Sequence, residues 1–243
     1  MEFRCGSAFM RQKIMFADLE FRGMSVQRVF SMSRSITGRE RRFTLAGIAL
    51  CLALAALSPR AVATETGGID TVRSLYDTLL ATMQNGPALG PRGRYARIAP
   101  VVHRVFDIPF MTRLAVGPGW TGLTDKQRQD VSQAFERYVA AIYAERFDSY
   151  SGERLQVTGE QPSAGGTVIT SQIIKSNNQP VNINYLMHYN GGVWQIADVY
   201  LNGTISELAT RRAEFAVILR AQGITGLIET LNTKANKLAA HGS

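Results

Sequence analysis

The chain is predicted to fold as an α+β domain: a four-stranded antiparallel meander sheet, with N-terminal and C-terminal helices packed over one face around an apolar cavity. Three observations carry this expectation. Apolar residues recur at helical spacing from Ile69 to Tyr150 and again from Leu208 to Leu238. Between them, residues 154–201 switch to the alternation of strands. The strands are joined by short turn-forming stretches, which allow hairpins but no crossover helix.

The first 63 residues stand apart from this plan. Arg34, Arg39, Arg41 and Arg42 precede an apolar run from Phe43 to Leu57, and Ala61-Val62-Ala63 follows as a small-residue cleavage site. That order is expected of a cleavable secretory signal peptide. The run is shorter than the roughly 20 residues needed to cross a bilayer. The stretch before it is long for a signal peptide, so Met24 and Met32 are alternative starts. The expected division is therefore a leader, 1–63, and a single domain, 64–243. The leader holds 10 of the 27 Lys and Arg and 4 of the 19 Asp and Glu, which leaves a net charge of +2 on the rest. The basic balance of the whole chain belongs to targeting and is no argument for a nucleic-acid partner. Cys5 and Cys51 both precede the cleavage site, so the mature chain has no thiol for a disulfide, a metal or a nucleophile.

In the domain, Ile69, Val72, Leu75, Tyr76, Leu79, Leu80 and Met83 predict a first helix that Asn85-Gly86-Pro87 ends. A Gly/Pro/Arg-rich loop, 87–93, leads to a second helical pattern through Tyr95, Ile98, Val101, Val102, Val105 and Phe106, which Pro100 should start or kink. Phe106, Phe110, Met111 and Leu114 share the face of a third helix, Gly117-Pro118-Gly119 breaks it, and Trp120 can fold back onto the core. Thr124 and Gln127 form a capping box for the longest helix, whose stripe runs through Val131, Phe135, Tyr138, Val139, Ile142, Tyr143 and Phe147 to Tyr150.

Strands are expected over 154–161, 166–175, 181–190 and 193–201, the last two closed by the Gly191-Gly192 turn. With Asn190 opposite Val193, Tyr189 faces Trp194, Met187 faces Ile196, Tyr185 faces Asp198 and Ile183 faces Tyr200. These side chains share one broad aromatic and aliphatic platform. A second capping box, Thr204 to Glu207, should open a helix that stops at Gly223, and a last helix carries Leu227, Ile228, Leu231 and Leu238.

Chemistry on the platform would need converging titratable groups, and the candidates are Asp198, Tyr185, Tyr189, Tyr200, Asp107 and His103. An acid on an apolar face is a possible general base. The competing reading holds Asp198 near the sheet rim, bonded to Tyr185, Arg113 or backbone amides. No metal-ligand set, serine-nucleophile motif or phosphate-cradling glycine loop accompanies it, and no cofactor is expected. A pocket is more legible than a mechanism. Its candidate lining is Phe106, Phe110, Met111, Leu114, Phe135, Tyr138, Val139, Ile142, Tyr143, Tyr185, Met187, Trp194, Ile196, Tyr200, Phe215 and Leu219. Among the basic residues of the last helices, Arg211, Arg212, Lys234 and Lys237 are candidates for docking an acidic partner or membrane.

F-D-I-P-F-M-T-R-L-A-V-G-P-G-W (106–120), followed by L-T-D-K-Q-R-Q, resembles the F-D-x-x-x-M-x-R-x-x-x-G-x-x-W pattern of the MlaC or toluene-tolerance family of periplasmic lipid-binding proteins. The W-Q-I-A-D-V-Y-L-N-G-T-I-S segment and R-x-x-F-x-x-I-L-R-x-x-G-I-T-G-L-I-E resemble its C-terminal half, and D-V-Y-L-N-G-T-I-S-E-L-A-T-R-R-A-E-F is more similar to the hopanoid-associated HpnM branch. The resemblance covers nearly all of residues 68–238. It implies a periplasmic shuttle carrying a hopanoid or phospholipid as cargo, and the chain is expected to be a non-enzymatic monomer. Its implied partners are an outer-membrane component and an inner-membrane ABC transporter with its lipid-binding subunit. Two further readings stay open: a small α+β-pocket isomerase or hydrolase using Asp198 as base, and a structural adaptor with a closed core.

Overall fold

The computed structural model describes residues 67–240. The leader, its apolar run, the cleavage site and both cysteines lie outside the described residues. The elements are α1 (Gly68–Gln84), α2 (Gly86–Val105), α3 (Ile108–Val116), a 3-10 turn (Gly117–Gly122), α4 (Asp125–Arg146), β1 (Arg154–Ser163), β2 (Gly166–Ile174), β3 (Pro180–Asn190), β4 (Val193–Leu201), β5 (Ile205–Ser206) and α5 (Glu207–Ala240). The fold is α+β, with the strands in the order β1-β2-β3-β4-β5, every neighbour antiparallel.

Five strands replace the four expected. β5 pairs Tyr200 with Ser206 and Leu201 with Ile205 across a turn in which Asn202 (φ 51°) and Gly203 (φ 78°) both take positive φ. The capping box expected from Thr204 to Glu207 does not form. Ser206 caps α5 instead, its hydroxyl accepting from the Ala209 amide at 2.9 Å. The other capping box is present, Thr124 and Gln127 each satisfying an end amide of α4.

The stretch expected as a loop at 87–93 is helical. α2 begins at Gly86 and is interrupted only at Gly90 (φ 60°, ψ 178°), so the break falls at a glycine and Pro100 lies inside a continuing helix. A Cβ on Gly86 would stand 1.8 Å from the Asp148 carbonyl, which makes glycine a steric requirement where the α1–α2 junction meets the end of α4. Arg94, buried beside it, donates to the carbonyls of Ala144 (2.9 Å) and Gly86 (3.1 Å) and so ties that junction to the last turn of α4. α4 ends at Arg146 rather than at Tyr150. Gly223 (φ 65°, ψ −168°) divides α5 into the two helical lengths expected.

The hairpin register holds from Asn190↔Val193 through Met187↔Ile196, and then slips by one residue at a bulge. Ala197 is the extra residue. Beyond it Leu186 faces Asp198, Tyr185 faces Val199, Asn184 faces Tyr200 and Ile183 faces Leu201. A one-residue insertion turns the rest of the strand over. Asp198 and Tyr200 therefore leave the platform, and Val199 and Leu201 replace them.

The helices cover the platform face, where Ile169, Tyr185, Met187 and Ile196 are buried in one core with Val72, Leu75, Leu79, Phe106, Phe135 and Phe215. The opposite face is polar. Thr158 bonds Thr170, and Gln156, Gln172 and Asn182 form a ladder across β1, β2 and β3. β1 is an edge strand, largely exposed, with its own register slip between Val157 and Gly159. At the other edge β5 covers the end of β4, and the chain between α2 and α3 covers its start, the Asp107 amide donating to the Ile196 carbonyl at 2.9 Å.

Candidate functional site

The sheet floor and the inner faces of α1, α3, α4 and α5 enclose an apolar region. Of the candidate lining residues, Phe106, Met111, Phe135, Tyr138, Val139, Tyr185, Met187, Ile196 and Phe215 are buried there, Phe110, Ile142, Trp194 and Leu219 pack against it partly exposed, and Tyr143 packs against it with part of its surface exposed but its hydroxyl buried. Ring contacts organise them. Phe135 meets Phe215 edge-on at 5.5 Å between centroids, Phe106 meets Tyr143 at 5.6 Å, and Tyr143 stacks on Phe147 at 5.7 Å. Two candidates lie elsewhere. Tyr200 is carried to the opposite face by the bulge, and Leu114 is 36% exposed on the outer side of α3.

A small polar cluster sits inside this region. The Tyr76 hydroxyl lies 2.5 Å from the Ser171 hydroxyl, which donates to the Ile183 carbonyl, and the Tyr76 ring meets the Tyr185 ring edge-on at 5.9 Å. Burial pushes the hydroxyls of Tyr76, Tyr143 and Tyr185 above the ordinary tyrosine value, because a phenolate there would lose its water. These groups stay neutral donors and acceptors at physiological pH. Sequence reasoning placed Tyr76 only in the apolar stripe of α1 and did not single out Ser171; a serine among the isoleucines of β2 was the available signal.

Asp198 is not a base facing the platform. Its carboxylate accepts from the amides of Val199 (2.7 Å) and Leu208 (3.0 Å) and from the Ser206 hydroxyl (2.6 Å), so it fastens the start of α5 to β4. Of the partners expected for it, backbone amides are found, and Tyr185 and Arg113 are not. Asp107 is likewise structural, capping α3 through the Phe110 amide at 3.1 Å. His103 pairs with Glu136 at 2.9 Å on the surface, and Tyr189 stands at the hairpin tip against Trp194.

The four docking candidates do not form one patch of unengaged charge. Arg211 is mostly buried and bonds Glu214 (2.8 Å) and Glu207 (3.2 Å), with its guanidinium 5.6 Å above the Tyr138 ring. Burial alone would lower its pKa, but Tyr138, Glu214 and Glu207 together raise it. Lys234 lies 5.8 Å from the same ring, and Lys237 is also engaged. Arg212 differs. It is exposed, and its guanidinium lies over Gly117, 3.5 Å from where a Cβ would stand. There it lines a surface cleft of about 630 Å³ with Arg113, Leu114, Pro118, Trp120 and Arg128.

The comparisons with known proteins fit this architecture. The family model described as MlaC protein matches residues 73–233. A solved structure of a phospholipid-binding protein from Ralstonia solanacearum, in complex with a phospholipid, superposes with a TM-score of 0.61 at 21% identity. The match covers 71% of this chain and 98% of that one, and at this identity the likeness is one of fold. Because the matched span runs from α1 into the second half of α5 and takes in the whole sheet, the chain belongs to the MlaC protein family.

Proposed function

We propose that this protein is a periplasmic lipid carrier, a non-enzymatic binder that holds a hydrophobic lipid between its sheet and its helices. The observation that carries the reading is the enclosed apolar region with a tyrosine and serine cluster inside it, found in a chain of the MlaC family. The structural neighbour from Ralstonia solanacearum holds a phospholipid, which supports a lipid of that size as cargo. Apolar contact supplies roughly 25 cal/mol per Å² removed from water, so binding needs no charged partner inside. Neutral hydroxyls among apolar walls suit an ester, an alcohol or another uncharged polar end. The buried Met187, Ile196 and Phe135 require neighbouring helices and sheet to part as cargo enters.

Within the family we favour a hopanoid over a diacyl phospholipid as cargo, on the D-V-Y-L-N-G-T-I-S form of residues 198–206. The carrier would pass it between an outer-membrane component and an inner-membrane ABC transporter. The enzyme reading put Asp198 on the platform as base, and both of its carboxylate oxygens are instead engaged in fastening α5. Native mass spectrometry of protein purified from its own envelope is the test. A co-purifying lipid, identified by its mass, is expected. No lipid in repeated preparations, together with no uptake from vesicles, overturns the proposal, and a diacyl mass overturns the hopanoid part alone.

A further inference from the structure

The geometry points to the arginine cleft as an anion site for the phosphate group of an acidic phospholipid, by which the carrier docks on a bilayer surface. This inference rests on the lipid-carrier reading and adds to it the surface that meets the membrane. The cleft lies outside the enclosed apolar region, between the end of α3, the 3-10 turn, the first turn of α4 and the start of α5.

Three guanidinium groups line one cleft and little carboxylate answers them. Among the described residues Arg113 and Arg212 have no ion pair, and Arg128 pairs only with Asp125 (3.2 Å), whose side chain is 99% exposed and therefore screened. Their placement is not that of free surface chains. Arg128 donates to the carbonyls of Trp120 (3.3 Å) and Thr121 (3.1 Å), Arg113 lies 5.7 Å over the Phe110 ring, and Arg212 occupies the space that Gly117 leaves open. Gly117 has φ 73°, so the chain reverses there without a side chain to block the cation. Planar guanidinium forks match phosphate oxygens two at a time, which a set of lysines would not do.

Size and lining select the source of the phosphate. A cleft of about 630 Å³ falls in the range of small-molecule sites and far exceeds one inorganic ion. Leu114, 36% exposed between cations, forms an apolar wall with Pro118 and Trp120. A free ion has no use for such a wall; the glycerol and first acyl carbons below a headgroup do. Since residues 64–243 carry only +2 in all, attraction to an acidic surface is local to this cleft. The same helices turn Met111 of α3 and Phe215 of α5 into the apolar region, so a headgroup held outside bears on the elements that roof the cargo.

The test is co-sedimentation of the full mature chain, as purified, with vesicles of phosphatidylcholine alone and of phosphatidylcholine with phosphatidylglycerol. Wild-type protein is expected to bind the acidic vesicles selectively, and Arg113→Gln/Arg212→Gln to lose about twenty-five-fold in affinity, at roughly fivefold per arginine. Arg97→Gln, which removes an exposed cation of α2 outside the cleft, is expected to bind as wild type. Should the double variant not fold, Arg212→Gln alone carries the test at about fivefold. Equal binding by variant and wild type, or no preference for acidic vesicles, overturns the proposal. So does competition by inorganic phosphate as strong as by short-chain phosphatidylglycerol, which makes the cleft a free-phosphate site. Arginine-dependent capture of an acidic envelope protein without vesicle binding overturns it too. Native mass spectrometry of the same samples separates the two claims: lipid inside both proteins with no vesicle binding removes docking and leaves the carrier standing.

Discussion

Replacing Asp198 by alanine should loosen the join between sheet and C-terminal helix, and the size of the effect follows from its contacts. Oδ1 accepts both amides, Val199 at 2.7 Å and Leu208 at 3.0 Å, while Oδ2 accepts the Ser206 hydroxyl at 2.6 Å. The residue is 6% exposed, so water cannot fully take its place. An unsatisfied buried donor costs about 1–3 kcal/mol, and with partial rehydration the three together should cost about 3–5 kcal/mol. For a domain of this length that lowers Tm by roughly 6–20 °C. Asparagine keeps one carbonyl oxygen for the two amides, and its NH2 can donate to Ser206, so Asp198→Asn should lose only about 1–2 kcal/mol. Thermal unfolding followed by far-ultraviolet circular dichroism measures both, and hydrogen exchange should quicken first in the opening turns of α5. A wild-type Tm for Asp198→Ala would refute the structural role. Wild-type stability in Asp198→Asn together with loss of a measurable turnover would revive the enzyme.

Two other outcomes test the fold around the site. Gly86→Ala should fail to accumulate as folded protein, because its Cβ would stand 1.8 Å from the Asp148 backbone, which cannot swing aside; expression with size-exclusion chromatography decides it. Alkaline titration tests the buried tyrosines. Tyr76, Tyr143 and Tyr185 have folded pKa values raised above the ordinary 10.0, so their contribution is fully present below about pH 10. Above that the unfolded chain loses phenol protons that the folded chain keeps, and stability should fall as pH rises toward the folded values. Phenolate absorbance appearing together with the loss of circular dichroism is expected; titration of all tyrosines in a still folded protein would contradict it.

Much of the fold was legible because local chemistry and tertiary structure agree. Gly191-Gly192 takes the positive φ angles of a tight turn (58° and 90°), and the Thr124 box caps its helix as its spacing implies. The bulge at Ala197 left no mark, since V-W-Q-I-A-D-V-Y-L reads as an apolar strand in either register. At residues 204–207 two hydroxyls compete to cap one helix. Ser206 prevails through Asp198, a partner eight residues away, where the Thr204 box asked only for neighbours. The 87–93 stretch misleads because Pro87 and Pro91 both suit a first helical turn, and Gly90 supplies the break between them. The apolar lining was visible as helical stripes. The arginine cleft was not, because Arg113, Arg128 and Arg212 come together only when α3, α4 and α5 pack.

The open edge at β1 bears on how this protein survives at high concentration. Along its ten residues β1 has a strand partner on one side only, and the outer side would template another chain if it lay flat. The slip at Thr158-Gly159 twists that edge, Glu160 puts a charge on it, and Pro162 removes an amide that a second molecule would need. If the interior opens for cargo, as the carrier reading proposed above requires, the protein is most exposed to its neighbours at that moment. The bulge, the charge and the proline on its free edge keep two copies from zipping together there.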